Sequence, residues 1–153
     1  MDIGDTAPAF DLPTDTGANV SLAGLAGKKV VLYFYPKDDT PGCTTEAIAF
    51  TGLKADFAAA DTVVIGVSKD SVAAHAKFRK KHDLGVELAA DADGSVVEAY
   101  GAWVEKSMYG KKYMGIDRAT FLIGRDGKLA AVWRKVKVPG HAAAVLKAAQ
   151  DQP

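Results

Sequence analysis

Cysteine is nearly absent from this chain, whose 153 residues include only one, Cys43. A single cysteine cannot form an intramolecular disulfide, a Cys-x-x-Cys redox pair or a zinc site built from several thiolates. A disulfide-stapled scaffold is therefore excluded, and any thiol chemistry must use this one sulfur. Free cysteines most often serve as small buried hydrophobes, so a purely structural role for Cys43 is the alternative to a functional one.

Net charge is also absent, because 19 lysine and arginine residues balance 19 aspartates and glutamates. The chain thus lacks the bulk attraction that holds a nucleic-acid backbone or an anionic membrane surface. Long apolar runs are missing too, since the longest, residues 30–36, is far shorter than the roughly 20 residues that span a bilayer. The sequence begins without a basic region followed by an apolar stretch. We expect a cytoplasmic protein that binds neither nucleic acid nor membranes.

Composition and patterning otherwise indicate one ordered domain. Apolar residues make up 48% of the chain and charged residues 25%, which is ordinary for a soluble globular protein. The length is that of about one domain, and no linker, repeat or low-complexity segment divides it. We therefore expect a single domain over residues 1–153.

Strand-like and helix-like segments alternate along the chain. Residues 30–35 form an unbroken apolar run, mostly β-branched and aromatic, which is typical of a strand buried on both faces. The predicted elements are a small N-terminal hairpin, strands over 29–35, 62–67, 87–90, 120–123 and 129–133, and helices over 43–59, 72–82, 94–100 and 141–150. The Asp126-Gly127 pair predicts a hairpin between the last two strands. This order indicates an α/β fold with a central mixed β-sheet flanked by helices.

Cys43 falls in the first turn of the predicted helix over 43–59, shortly after the strand that ends at Pro36. At a helix start, unpaired backbone N–H groups and the helix dipole favour a negative charge, so a thiolate would be stabilised there. In open α/β sheets the ligand crevice lies beyond the carboxyl ends of the strands, where this turn is also placed. Its position makes Cys43 a candidate nucleophile.

Other candidate sites are weak. His75, His82 and His141 lie seven and fifty-nine positions apart without a carboxylate grouping suited to a metal ion, so we expect solvated or capping roles for them. No glycine run followed by Lys-Ser or Lys-Thr is present to bind a phosphate. The basic residues within 77–81 are interpreted as a solvated helix face, with docking of a reductant as the less favoured alternative. No metal and no cofactor are expected.

The residues around Cys43 carry a family resemblance. The spacing Pro36-x-x-x-Thr40-x-x-Cys43 resembles the active-site motif of peroxiredoxins. The fuller strings Tyr33-Phe34-Tyr35-Pro36-Lys37-Asp38 and Thr40-Pro41-Gly42-Cys43-Thr44-x-Glu46 are similar to the bacterioferritin-comigratory, or PrxQ, branch. Similar segments follow at residues 66–71, 108–111, 116–123 and 134–141. The resemblance therefore covers nearly the whole chain.

This resemblance implies a thioredoxin-like fold and a thiol peroxidase that reduces hydrogen peroxide and organic (alkyl) hydroperoxides. It implies that Cys43 is the nucleophile, whose thiolate attacks a peroxide oxygen and becomes a sulfenic acid. By the same resemblance, Thr40 contacts both peroxide and thiolate, and Arg118 stabilises the charge that moves onto the leaving oxygen. Pro36 would shield the cysteine, and Glu46 would orient a guanidinium or the helix start.

The chain departs from the branch where many members carry a second cysteine. The two positions at which such resolving cysteines occur are Ile48 and Arg79 here. A sulfenic acid on Cys43 would therefore be reduced by an outside thiol, either glutathione or a thioredoxin- or glutaredoxin-like protein, through a mixed disulfide. Without an internal thiol it would also be open to further oxidation to sulfinic acid. Members of this branch are often monomeric, so we expect a monomer.

Two other function classes compete with a peroxidase. A non-catalytic redox sensor would also oxidise at Cys43 but would pass the change to a partner by mixed disulfide, so only turnover with a reductant separates it from the enzyme. A cysteine hydrolase or transferase would ordinarily need a histidine base near the thiol, and no histidine lies within thirty residues of Cys43. Thr40 and Arg118 favour peroxide over acyl substrates.

Overall fold

Strands and helices alternate along the chain in the computed structural model, which describes residues 1–153. The strands are β1 (Asp11–Pro13), β2 (Asn19–Ser21), β3 (Lys29–Phe34), β4 (Thr62–Ser68), β5 (Glu87–Ala90), β6 (Trp103–Met108), β7 (Lys111–Ile116), β8 (Ala119–Ile123) and β9 (Leu129–Trp133). The α-helices are α1 (Pro41–Gly52), α2 (Lys54–Ala59), α3 (Val72–His82), α4 (Ser95–Ala99) and α5 (His141–Asp151), and a 3₁₀ turn covers Ala23–Leu25. None of these helices is both long and apolar enough to cross a bilayer.

A five-stranded mixed sheet in the order β5-β4-β3-β8-β9 forms the centre of the molecule. Strands β3, β4 and β5 are parallel, whereas β8 runs antiparallel to both β3 and β9. The predicted mixed sheet, its parallel βαβ units and the closing hairpin are thereby confirmed. Strand β3 lies in the middle with all six residues buried, because both faces of the sheet are covered.

The two faces of the sheet build two separate cores. Alternate residues of β3 point to opposite sides, so Val30, Leu32 and Phe34 join a cluster with α4 and the N-terminal hairpin. Val31 and Tyr33 join the other cluster, which includes side chains of α1, α2, α3 and α5. Cys43 belongs to this second core, so its sulfur is buried on the same side of the sheet as Val31 and Tyr33.

The predicted helix over 43–59 is two helices in the structure. Helix α1 begins two residues earlier, at Pro41, and ends at Gly52, and α2 starts again at Lys54. Between them Leu53 leaves helical geometry with φ −103° and ψ 7°. Glycine has a poor helix propensity, so Gly52 is a natural place for the break.

A hairpin formed by β6 and β7 was missing from the sequence-based prediction. The two strands pair only with each other, and their residues are mostly exposed or half-buried. Their connection is the Tyr109-Gly110 pair, in which both residues have positive φ, 52° and 78°. Such a turn usually contains Asn-Gly or Asp-Gly, so a tyrosine in the first position hides the hairpin signal.

Two of the three histidines, and Arg79, do not have the solvated or capping roles expected of them. His75 is fully buried on the inner face of α3, and His141 is buried at the first residue of α5. Only His82 lies near the surface, where its Nε2 is 2.8 Å from the Asp39 carboxylate. Arg79 turns inward, and its guanidinium donates to Asp15 and to the backbone carbonyls of Leu84 and Val86.

Candidate active site

Cys43 lies in the first turn of α1, where the chain leaves the carboxyl end of β3. Thr40 precedes the helix in an extended conformation, with φ −90° and ψ 156°, and Pro41 occupies the first helical position. A proline fits there because its missing N–H would have no partner in the first turn. The sulfur is consequently close to the positive end of the helix while the side chain is only 1% exposed.

Arg118 approaches Cys43 from a distant part of the sequence. Ala119, the first residue of β8, pairs with Phe34, the last residue of β3, so the residue just before β8 is brought to the end of the central strand. From there the Nη2 group of Arg118 donates a hydrogen bond to the Cys43 Sγ over 3.4 Å. A cationic donor therefore faces the only thiol of the chain.

Gly42 leaves the room that this contact needs. A Cβ atom at Gly42 would lie 3.1 Å from the Nη2 of Arg118, closer than ordinary van der Waals contact. A side chain at this position would require the guanidinium to shift slightly. The glycine between Pro41 and Cys43 is thus explained by the close approach of Arg118.

Glu46 fixes the other half of the Arg118 guanidinium. It lies three residues after Cys43, on the same face of α1, and its Oε1 accepts a hydrogen bond of 2.7 Å from Arg118 Nη1. The side chain is 2% exposed, and its second oxygen, Oε2, is buried without a hydrogen-bond partner. Burial raises the pKa of Glu46 to about 7, although the charge of Arg118 acts in the opposite direction.

The raised pKa of Glu46 makes the stability of the protein depend on pH in a defined direction. Between 4.5, the ordinary pKa of a glutamate, and about 7, the folded protein holds a proton that the unfolded chain has lost. Stability from this group is complete below that window and falls as the pH rises through it. At 1.36 kcal/mol per pKa unit the loss is about 3 kcal/mol.

We therefore expect the stability of Glu46→Gln, relative to that of the unsubstituted protein, to increase as the pH rises. The amide does not titrate, so the free energy of unfolding of the variant, minus that of the unsubstituted protein, should increase by about 3 kcal/mol from about pH 4 to about pH 8. Denaturant unfolding at the two pH values measures this difference. Groups common to both proteins cancel in it, and a difference independent of pH would contradict the assignment.

Thr40 and Pro36 are close in sequence to Cys43, but neither is hydrogen-bonded to Cys43, Arg118 or Glu46. The Thr40 hydroxyl donates to the Lys37 carbonyl oxygen over 2.8 Å, which leaves the hydroxyl oxygen able to accept. Pro36 follows the end of β3 and is exposed. Cys43, Arg118 and Glu46 are thus joined by hydrogen bonds, whereas Thr40 and Pro36 belong to the loop that leads into α1.

His141 packs near Arg118, a neighbour that the sequence-based reasoning did not find. Burial, together with the positive charge of Arg118, lowers the pKa of His141 to about 4. Its Nε2 is 2.8 Å from the Thr120 hydroxyl. This histidine is therefore neutral at pH 7, and its Nε2 is hydrogen-bonded to Thr120. The hydrogen-bond partner of the Cys43 sulfur is Arg118 and not a histidine. The site therefore lacks the thiol–histidine pair of a cysteine hydrolase.

The two positions that carry a second cysteine in many members of the resembled branch have other roles here. Ile48 is 48% exposed on the outer side of α1. Arg79 binds Asp15 through two hydrogen bonds, of 2.5 and 3.0 Å, and so ties α3 to the N-terminal hairpin region. Cys43 is free and has no disulfide partner within the chain.

A cysteine at the start of the helix after the central strand, faced by an arginine, is the arrangement expected of a thiol-dependent redox protein of thioredoxin-like fold. A family model described as AhpC/TSA matches residues 3–132, and the chain belongs to this family. A relative from Coxiella burnetii is 53% identical over 95% of this chain and 97% of its own length. Peroxiredoxin Bcp of Bacillus subtilis is 48% identical over 99% of this chain and 96% of its own.

Solved structures agree with this assignment. The bacterioferritin comigratory protein of Xanthomonas campestris, whose structures were described for its alkyl peroxide reduction activity, is 43% identical. It superimposes with a TM-score of 0.88 over 92% of this chain and 90% of that one. The fold is therefore thioredoxin-like, and the Bcp/PrxQ branch of the peroxiredoxins, which are thiol peroxidases, is the one to which the chain is similar.

Proposed function

We propose that this chain is a one-cysteine peroxidase that reduces hydrogen peroxide and alkyl hydroperoxides through Cys43. The observation that carries the proposal is the 3.4 Å hydrogen bond from Arg118 to the sulfur of Cys43, the only cysteine in the chain, at a helix start. The relative from Xanthomonas campestris, which is described by its alkyl peroxide reduction, supports the choice of substrate.

The first chemical step transfers one oxygen atom to Cys43. The thiolate attacks one peroxide oxygen, an S–O bond forms while the O–O bond breaks, and the leaving oxygen takes up a proton to become water or an alcohol. Negative charge moves from sulfur towards the leaving oxygen during this step, so a fixed cation beside both atoms stabilises the transition state more than the reactants. Arg118 has this role, and Glu46 holds its guanidinium in place.

The loop residues assist by orienting the peroxide. A hydroxyl can donate and accept at once, so Thr40 can turn from the Lys37 carbonyl towards a bound peroxide and hold it in line with the sulfur. Pro36 has no N–H group and therefore lines the approach without offering a competing donor. Cys43, Thr40, Arg118 and Pro36 form the proposed site, with Glu46 behind them.

The second half of the reaction uses a thiol from outside the chain. Its thiolate attacks the sulfenic acid, water leaves, and a mixed disulfide with Cys43 forms, which a further thiol then reduces. Because Cys43 is only 1% exposed, the first turn of α1 must open before a protein thiol can reach the sulfur. Glutathione and thioredoxin- or glutaredoxin-like proteins are the proposed reductants, and a monomer in the reducing cytoplasm is the proposed working form.

Excess peroxide in the absence of reductant is expected to convert Cys43 to the sulfinic acid, because no internal thiol intercepts the sulfenic acid. Ile48→Cys restores such a thiol at an exposed position on the same helix. This variant should accumulate an internal disulfide and much less sulfinic acid, measured by mass spectrometry of the Cys43 peptide. Equal amounts of sulfinic acid on Cys43 in the two proteins would contradict the one-cysteine scheme.

Repeated turnover separates this enzyme from a redox sensor, the other function considered for Cys43. Peroxide consumption should continue over many equivalents when a thiol system is supplied. Without a thiol it should stop after about two equivalents, because Cys43 then ends as the sulfinic acid. The assay follows peroxide and thiol together, with glutathione, a thioredoxin system and a glutaredoxin system as parallel arms. Consumption of no more than about two equivalents in every arm would favour the sensor.

A further inference from the structure

A second group of buried polar side chains supports the loop that leads to Cys43. His75, from α3, places its Nδ1 2.6 Å from Oδ2 of Asp38, in the loop between β3 and α1. Tyr35, just past the end of β3, donates its hydroxyl proton to the other Asp38 oxygen over 2.5 Å. His75 is fully buried, Tyr35 is 1% exposed and Asp38 is 9% exposed.

The partners of His75 determine where its protons lie. Nε2 of the ring is 3.0 Å from the backbone carbonyl of Ala89, which can only accept, so Nε2 carries a proton. Tyr35 remains a donor because burial raises its pKa far above the ordinary value. Asp38 accepts from Tyr35 through one oxygen, and one proton joins its other oxygen to Nδ1 of His75. The unit is thus a buried, hydrogen-bonded triad of Tyr35, Asp38 and His75.

Further bonds fix the same loop along its length. The Asp38 N–H donates to Oδ2 of Asp70 over 2.8 Å, and the Ser68 hydroxyl, at the end of β4, donates to the same oxygen over 2.7 Å. The next residue, Asp39, has a φ of 60°, in the left-handed region that few residues besides glycine, asparagine and aspartate adopt. Its carboxylate also meets Lys81 at the end of α3, but this pair is exposed to solvent and adds little to the support of the loop.

The loop transmits this support to the reacting groups. Asp38 lies between Lys37, whose carbonyl accepts from the Thr40 hydroxyl, and Thr40 itself. The Thr40 carbonyl in turn accepts from the Thr44 N–H over 2.8 Å, at the start of the helix that carries Cys43. A shift of Asp38 would therefore move the Thr40 hydroxyl, while the bond from Arg118 to Cys43 is anchored separately on β8 and Glu46.

We propose that the pair of Asp38 and His75, completed by Tyr35, is a positioning unit for the peroxide step, because it sets the place of the Thr40 hydroxyl relative to the Cys43 sulfur. This inference rests on the proposed function. None of the three side chains bonds to Cys43 or Arg118, so the unit acts on how peroxide is held and not on the sulfur itself. A displacement of about 1 Å in a reacting geometry can cost about 10²-fold in rate.

The test compares two reactions of the same thiol, oxidation by hydrogen peroxide and alkylation by iodoacetamide. In His75→Gln and Asp38→Asn, the rate constant for peroxide should fall by about 10- to 100-fold. Alkylation should stay equal or become faster, because it needs no peroxide to be oriented and the loop is less tightly held. The matched control is Lys81→Ala, which removes only an exposed ion pair to the same loop and should leave both rates unchanged.

Tyr35→Phe keeps the inference testable if the more severe variants fail to fold. It retains the aromatic ring and removes only the hydroxyl that donates to Asp38, so the peroxide rate should fall severalfold with alkylation unchanged.

Parallel loss of peroxide and alkylation rates in the variants, or unchanged peroxide rates, would overturn the positioning role while leaving the peroxidase intact. A failure of the proposed function looks different, because the unsubstituted protein would then react with peroxide no faster than free cysteine.

Discussion

Cys43→Ser is expected to abolish peroxide reduction entirely, with every thiol reductant and every hydroperoxide. The chain has no second thiol to substitute for Cys43, and a serine hydroxyl ionises far too weakly at neutral pH to attack peroxide. Peroxide consumption in a coupled assay should therefore equal that of the buffer. The loss should appear in the first turnover as well as in the steady state.

The same variant should keep its fold, which makes the result interpretable. A serine oxygen can accept the hydrogen bond that Arg118 now donates to the sulfur, and the side chain is slightly smaller than cysteine. Thermal unfolding and far-ultraviolet circular dichroism serve as the controls. Residual peroxide reduction by well-folded Cys43→Ser would show that the chemistry lies elsewhere.

Arg118→Ala should lower the second-order rate constant for oxidation of Cys43 by about 10²- to 10³-fold, equivalent to about 3–4 kcal/mol of transition-state stabilisation. The guanidinium is the cationic group that the structure hydrogen-bonds to the sulfur, and its loss leaves the charge moving onto the leaving oxygen without that stabilisation. Stopped-flow oxidation under single-turnover conditions measures this directly.

Arg118→Lys is the matched comparison, because it keeps the charge and loses the fork of donors. One ammonium group cannot reproduce the paired bonds of the guanidinium to Cys43 and Glu46, so the rate should lie between those of the alanine variant and the unsubstituted protein. A lysine variant as slow as the alanine variant would mean that geometry dominates over charge. An alanine variant as fast as the unsubstituted protein would remove Arg118 from the mechanism.

Much of the fold could be predicted from the sequence because it depends on strong local patterns. The apolar run over 30–35 needs cover on both faces, so it predicts a strand inside a sheet that is flanked by helices, as β3 is. The hairpin of β6 and β7 escaped prediction for the opposite reason. Its side chains are mostly exposed and its Tyr109-Gly110 turn lacks the usual residues, so neither burial nor turn chemistry indicated it.

The site was predictable only in part. The position of Cys43 at a helix start follows from the chain itself, but Arg118 is 75 residues away and was assigned by resemblance. What brings it to the sulfur is the register of β8 on β3, which no local pattern encodes. The burial of His75 was missed because a lone histidine on a basic helix is usually solvated, and its partner Asp38 lies on a loop 37 residues earlier.

The most direct test of the account is a single turnover followed by rapid quenching and mass spectrometry. Reduced protein is mixed with one equivalent of hydrogen peroxide, and an external thiol is added after the peroxide is consumed. We expect one added oxygen on the Cys43 peptide, formed many times faster than on free cysteine. After the thiol is added, a mixed disulfide should form and the peptide should then return to its original mass. A thiol that reacts no faster than free cysteine would contradict the assignment of this protein as a peroxidase.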